Sequence, residues 1–257
     1  MAEMMKGNEA IAEAAIRAGA RFYAGYPITP SSEIMEYLSW RMNEVGGAFV
    51  QAESELAGIN MVIGASSCGV RALTASSGPG ISLKQEGIST LCDEGLPAVV
   101  ITQVRYGNGL GTLFTSQCDY HRETRGGGQG DYRCIVLCPS SIQEFVDLML
   151  PAYELAEKYR IVTIMMGEGT LGQMMEPVEL PDFVEPKRTP WALNGHYTYK
   201  KIGIFERDSM AEAVELRAKY AEIKENEQRW EEEDIADADY VFVAYGVPGR
   251  ATLGAVR

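Results

Sequence analysis

Between residues 7 and 166, short apolar runs alternate with helical stretches, and this alternation constrains the fold more than any other feature. The runs at 21–25, 48–51, 71–75, 98–104, 134–137 and 161–166 have strand length. The stretches at 7–18, 31–43, 54–65, 82–92 and 141–159 have helical periodicity. Apolar strands separated by helices must be covered on both sides, which predicts an α/β protein with a mainly parallel sheet and helices on both faces. Ligands of such sheets sit beyond the carboxyl ends of the strands. That directs attention to the loops at 25–30, 52–55, 76–80 and 105–130.

The pattern changes beyond residue 172. Residues 177–199 are rich in proline and aromatics and read as an irregular connection, and 209–233 reads as a charged linker helix. YVFVAYG at 240–246 then reads as a buried strand, with a helix beginning at 250. Three regions are therefore expected: a domain over 1–180, a connection over 181–236, and the start of a second α/β domain over 237–257. A lone strand cannot bury both its faces. The last region is expected to be a truncated domain, or else a strand added to a partner.

The chain carries 36 acidic and 23 basic residues, a net charge of −13. That balance argues against a nucleic-acid surface. No apolar run approaches the roughly 18 residues of a membrane span, and the N-terminus has no signal-peptide core. The five cysteines include no CxxC pair and are expected to be reduced, as in a cytoplasmic protein. With only two histidines, no metal site is expected in this chain.

Four features could carry chemistry. In AGYPITPSSEI, at 24–34, two prolines stiffen the loop that follows the first apolar run and hold Thr29 just beyond a strand end. Glu55 opens a helix after a short strand; it suits a functional carboxylate or one that merely meets the helix dipole, and Glu53 is an alternative. SSGPG, at 76–80, has the form of an anion-binding glycine turn. GGGQGD, at 126–131, suits a lid or a disordered loop. GxGxxG, GxxxxGK[ST] and GxSxG are all absent, so simple dinucleotide, P-loop and hydrolase readings fail.

Taken in order, these segments resemble the α subunit of thiamine-diphosphate-dependent 2-oxoacid:ferredoxin oxidoreductases. The matching segments are KGNEAIAEAAIRAG at 6–19, GYPITPSSEI at 25–34, ESELAGINMVIGAS at 53–66 and TASSGPGISLKQEGIS at 74–89. ETRGGGQGDYR at 123–133, VLCPSSIQE at 136–144 and LGQMMEPVE at 171–179 continue the series. The wording is closest to subunits acting on 2-ketoisovalerate or 2-oxoglutarate. The implied fold over 1–180 is the pyrimidine-binding domain of a thiamine enzyme.

By that resemblance, Glu55 hydrogen-bonds the aminopyrimidine ring and promotes its imino tautomer. Thr29 meets the substrate or the reactive end of the cofactor, and Arg105 meets the substrate carboxylate. Tyr26, Pro27, Ile28, Ser77 and Gly78 fall to cofactor binding. Two loops depart from the family's usual wording: Gln129 stands where a histidine is common, and RYGNGLG at 105–111 replaces an arginine–glycine–proline pattern. Both bear on substrate identity.

The diphosphate and its Mg²⁺ belong, in this family, to a β subunit, with iron–sulfur clusters there or in a ferredoxin-like subunit; a γ subunit is also common. The implied reaction is oxidative decarboxylation of a 2-oxoacid to an acyl-CoA, with coenzyme A as co-substrate and ferredoxin as electron acceptor. Two alternatives stay open on sequence: a non-redox thiamine enzyme subunit, and a non-catalytic α/β binding module.

Overall fold

The computed structural model describes residues 2–185, 189–193 and 209–257. In chain order the elements are β1 (Glu3–Lys6), α1 (Gly7–Arg17), β2 (Phe22–Gly25), α2 (Ser32–Glu44), β3 (Ala48–Gln51) and α3 (Glu55–Ser67). Next come β4 (Ala72–Ser76), α4 (Gly78–Asp93), β5 (Ala98–Val104), α5 (Tyr120–Arg125), β6 (Ile135–Leu137) and α6 (Ile142–Tyr159). The series closes with β7 (Val162–Glu168), α7 (Gly169–Gln173), β8 (Met175–Val178), α8 (Ser209–Asn226) and α9 (Gly246–Val256).

Six strands form a parallel sheet in the order β3-β2-β4-β5-β7-β6. Right-handed crossovers fix which face each helix takes. The chain steps outward from β2 to β3, then reverses across β2 to β4 and continues to β5. Helix α2 must therefore lie on one face and α3 and α4 on the other, while the reversal from β6 to β7 returns α6 to the side of α2. The packing agrees: α1 lies between α2 and α6, and α3 packs on α4. Strands β4, β5 and β7 are buried along their whole length, as two-sided cover requires.

The reversal at β2 has a consequence for function. The connections leaving β2 and β4 diverge in opposite directions, and a crevice opens between them at the carboxyl end of the sheet. The YPITP loop leaves β2 there, and the SSGPG turn leaves β4.

Several expectations change. Residues 240–243 form no strand: Tyr240, Val241, Phe242 and Val243 are 85%, 59%, 73% and 96% exposed. An apolar run has strand propensity, but no described strand edge lies beside it to complete a ladder. Helix α9 then begins at Gly246, with Gly246 at φ +60° and the Val247 N–H directed at the buried Glu168 carboxylate. Helix α8 stops at Asn226, short of the acidic run up to 233. The expected irregular connection at 177–199 lies partly outside the described residues.

Two short strands, β1 and β8, were not expected; they pair antiparallel across about 170 residues of chain and carry no alternation of their own. Helix α4 begins at Gly78 rather than at residue 82, with Pro79 in its first turn, where a missing N–H costs nothing. Ser31 precedes α2 but does not cap it with its side chain; its hydroxyl donates to the Ile28 carbonyl at 2.9 Å. The five cysteines are unbridged, although Cys92 and Cys134 bring their sulfurs within 3.8 Å. No described helix is long and apolar enough to cross a membrane.

Candidate active site

Glu55 is the first residue of α3, preceded by Ser54, whose hydroxyl accepts the Ala57 N–H at 3.2 Å. The serine cap starts the helix at this point and leaves Glu55 on the crevice side of β2, 6% exposed. Gly80 lies against it. A Cβ on Gly80 would stand 2.6 Å from Glu55 Oε1 and 2.2 Å from Ser76 Oγ. Any side chain there would collide with both, so glycine is what lets the carboxylate and the Ser76 hydroxyl pack against this turn.

Behind Glu55 sits Lys84, fully buried. Its Nζ donates to Thr74 Oγ1 at 2.9 Å and reaches the Glu55 carbonyl at 3.4 Å. Burial pulls the ammonium down to about 8, and attraction to the Glu55 carboxylate opposes that fall.

Across the crevice, Arg105 follows β5. Its Nη1 donates to the Thr29 carbonyl at 2.7 Å and its Nη2 to the Leu110 carbonyl. Both partners are neutral, and Arg105 enters no salt bridge among the described residues. Its Nε is buried without a partner among the described residues, 3.0 Å from where a Cβ on Gly78 would stand. Gly78 has φ +45°, so a larger residue would be strained as well as crowded. Arg105 thus borders both the YPITP loop and the Ser77–Gly78 turn, and Glu55 borders the same turn at Gly80.

Ser77 is fully buried, and its hydroxyl and that of Ser76 have no hydrogen-bond partner among the described residues. Buried hydroxyls are normally paired. Tyr26 is 40% exposed, Pro27 and Ile28 are half-buried, and Thr29 is exposed on the rim.

The sequence reading missed what fixes the YPITP loop. The Thr29–Pro30 peptide is cis, and the Pro30 carbonyl accepts from Asn8 Nδ2 at 2.7 Å and from Gln173 Nε2 at 3.1 Å. The same two amides donate to Glu33 Oε2 at 2.8 and 3.0 Å, and Lys6 pairs with Glu33 Oε1 at 2.6 Å. The matched segments around 6–19 and 171–179 contained Asn8 and Gln173, but nothing local showed where they would point.

GGGQGD is neither a free lid nor a disordered loop. The Gly127 and Gly128 N–H groups donate to the Tyr132 hydroxyl at 3.1 and 3.0 Å, and Gly127 N–H also reaches Gln85 Oε1 at 3.0 Å. Ser89 Oγ donates to the Gln129 carbonyl at 2.7 Å. The loop lies on α4, held by Gln85 and Ser89 of that helix and by Tyr132, whose hydroxyl donates to Gln85 Oε1 at 2.7 Å.

Residues 13–239 match the family model described as pyruvate flavodoxin/ferredoxin oxidoreductase, thiamine diphosphate-binding. The chain belongs to this family. It is 49% identical to the ketoisovalerate oxidoreductase subunit VorB of Methanothermobacter thermautotrophicus, over 99% of this chain and 74% of that protein. It is 38% identical to the 2-oxoglutarate synthase subunit KorA of Methanocaldococcus jannaschii, over 99% of this chain and 78% of that one.

The fold matches a solved 2-oxoglutarate:ferredoxin oxidoreductase from Magnetococcus marinus, bound to 2-oxoglutarate, coenzyme A and succinyl-CoA, with a TM-score of 0.80 and 26% identity. That match covers 91% of this chain and 47% of the other, so this oxidoreductase-family chain spans about half of the solved chain it resembles. The resemblance seen in the motifs agrees with the family, as the parallel α/β fold agrees with the solved relative.

Proposed function

We infer that this chain is the α subunit of a 2-oxoacid:ferredoxin oxidoreductase. With its partner subunits it decarboxylates a 2-oxoacid, passes electrons to ferredoxin and forms an acyl-CoA. The observation that carries this reading is the convergence of Glu55, the Ser77–Gly78 turn and the Thr29–Arg105 pair on the one crevice where β2 and β4 part. The residues present suit the aminopyrimidine half of thiamine diphosphate. Glu55 supplies a carboxylate for a ring nitrogen, Gly80 lets that carboxylate pack close against the turn, and two buried hydroxyls lack partners among the described residues.

Bound there, thiamine diphosphate supplies the electron sink that loss of CO₂ from a 2-oxoacid requires. Glu55 would share or hold a proton at the ring nitrogen. Thr29 and Arg105 would orient the 2-oxoacid. A guanidinium that already spends its other N–H groups on carbonyls keeps a fixed direction for the substrate carboxylate. Tyr26, Pro27 and Ile28 would form the wall beside the cofactor.

The diphosphate, its Mg²⁺ and the iron–sulfur clusters would be held by a β subunit and by ferredoxin-like or γ subunits, in a cytoplasmic complex. An apolar rim supports a shared site: Tyr106, Leu110, Leu113 and Phe114, in the loop after Arg105, are 56–81% exposed. The same rim suits a branched-chain 2-oxoacid better than one with a second carboxylate, in keeping with the similarity to the ketoisovalerate subunit. Turnover by the assembled complex, compared on 2-ketoisovalerate, 2-oxoglutarate and pyruvate, tests this. Preference for 2-ketoisovalerate is expected, and preference for 2-oxoglutarate would contradict the branched-chain assignment.

A further inference from the structure

The turn that carries Ser77 and Gly78 is gripped from behind by a residue that none of the chemistry-bearing motifs singles out. Arg122, on α5, donates from Nη1 to the Gly78 carbonyl at 2.9 Å and to Ser82 Oγ at 3.1 Å. Its Nε and Nη2 turn the other way, onto Glu123 Oε1, at 3.0 and 2.8 Å. Successive residues on a helix do not face one another, so this contact requires the guanidinium to fold back along its own helix. Asp119 Oδ2 lies 3.1 Å from Nη2 but off the hydrogen-bond direction. Glu123 is 1% exposed, and its second oxygen has no partner among the described residues.

A buried carboxylate with an unpaired oxygen is costly, and a helix of only six residues gains little stability from it. What the pair does achieve is a fixed guanidinium. With one edge locked on Glu123, the other can only meet the Gly78 carbonyl and the first turn of α4.

We propose that Arg122, locked by Glu123, is a positioning residue that holds the Ser77–Gly78 turn in the shape that receives the cofactor. The proposal rests on the reading of the crevice as a thiamine diphosphate site and adds a device for tuning cofactor affinity. The Arg105 side chain lies beside Gly78, 3.0 Å from where a Cβ there would stand, so a slipped turn would crowd the substrate arginine too.

Burial pushes the Glu123 carboxyl up to about 7, against the pull of Arg122. The titratable groups that face it are Arg122 on α5, Asp119 just before that helix, and the thiols of Cys134 and Cys138 at either end of β6. As pH falls through that region Glu123 loses its charge, Arg122 loses its lock, and cofactor affinity declines.

The test uses the assembled complex, stripped of cofactor and titrated with thiamine diphosphate and Mg²⁺ at several pH values, with KM and kcat measured alongside. Arg122→Met is expected to weaken cofactor binding about tenfold, the worth of one charge-assisted hydrogen bond, with Arg122→Lys recovering part of the loss. Glu123→Gln is expected to abolish the decline of affinity on the acid side while changing kcat at saturating cofactor far less. Normal folding of the lysine and glutamine variants, checked by circular dichroism, keeps the test valid if the methionine variant unfolds. Wild-type affinity in a folded Arg122→Met, or a wild-type pH profile in Glu123→Gln, would overturn the proposal alone. Failure of the wild-type complex to bind thiamine diphosphate would overturn the functional reading and the proposal with it.

Discussion

Glu55 and Lys84 show how much one buried carboxylate depends on its surroundings. The helix cap and the bare α-carbon of Gly80 put Glu55 at the edge of the crevice, and Glu55→Gln would leave its volume and cap unchanged while removing the acid. Turnover of the complex is expected to fall at least about 100-fold, in the range set by loss of a proton-transfer group, with the fold intact by circular dichroism.

Lys84 behaves differently because its folded pKa, about 8, lies below the ordinary lysine value of 10.5. Between those pH values the unfolded chain holds a proton that the folded chain has released, so stability rises with pH through that window. Unfolding midpoints between about pH 7 and 10 should show that rise in the wild type and lack it in Lys84→Met. An identical slope in both would refute the assignment. Glu55 could be singled out from its sequence context, although spacing alone left Glu53 and a simple dipole role open. Lys84 could not, because a lysine four residues beyond a glycine turn ordinarily faces water.

Elements, rather than single residues, decide where the YPITP loop sits. Helix α1 lies between α2 and α6 because its alanines allow close approach, and this brings Asn8 under Pro30. Asn8→Ala would leave the Pro30 carbonyl and Glu33 short of a donor. A loss of about 1–3 kcal/mol is expected from unfolding curves, together with a raised KM for the 2-oxoacid as Thr29 drifts.

The same helix is stapled to α2 through Glu13, which pairs with Arg17 at 2.9 Å and Arg41 at 3.0 Å. Burial alone would raise the Glu13 carboxyl, but hydrogen bonds from Arg41, Arg17 and Tyr37 outweigh it and hold it below the ordinary value of 4.5. Its contribution is therefore complete above the unfolded carboxylate's pKa and lost as pH falls through the lower folded value. Glu13→Gln should remove that acid-dependent part of the stability, and an unchanged acid limb would contradict the staple.

At this scale the sequence was legible wherever a pattern was local. Buried strands and amphipathic helices announced themselves by period, and handed crossovers then fixed the layers. The pairing of β1 with β8 was not legible, since four-residue strands joined across most of the chain have no signature of their own. YVFVAYG misled for the opposite reason: its strand propensity is strong, but a strand needs an edge to pair with, and propensity cannot show whether one is there. Asn8, Gln173 and Arg122 went unread because a polar side chain's partner is chosen by the topology that delivers it.

At the scale of the whole molecule, the proposed function makes the crevice one side of a shared site. Its rim exposes Tyr106, Leu110, Leu113 and Phe114 close to Arg105, where a partner would cover them. Phe114→Asp should weaken assembly with the β subunit at least about tenfold, as for loss of an aromatic anchor, in analytical ultracentrifugation. Assembly at wild-type strength would show that the partner docks elsewhere. The central claim is tested most directly by 2-oxoacid- and coenzyme A-dependent reduction of a low-potential dye by the native complex under anaerobic conditions, compared with the same complex carrying Glu55→Gln. The account predicts turnover on a 2-oxoacid by the wild type and its near-complete loss in the variant; equal turnover in the two complexes would contradict it.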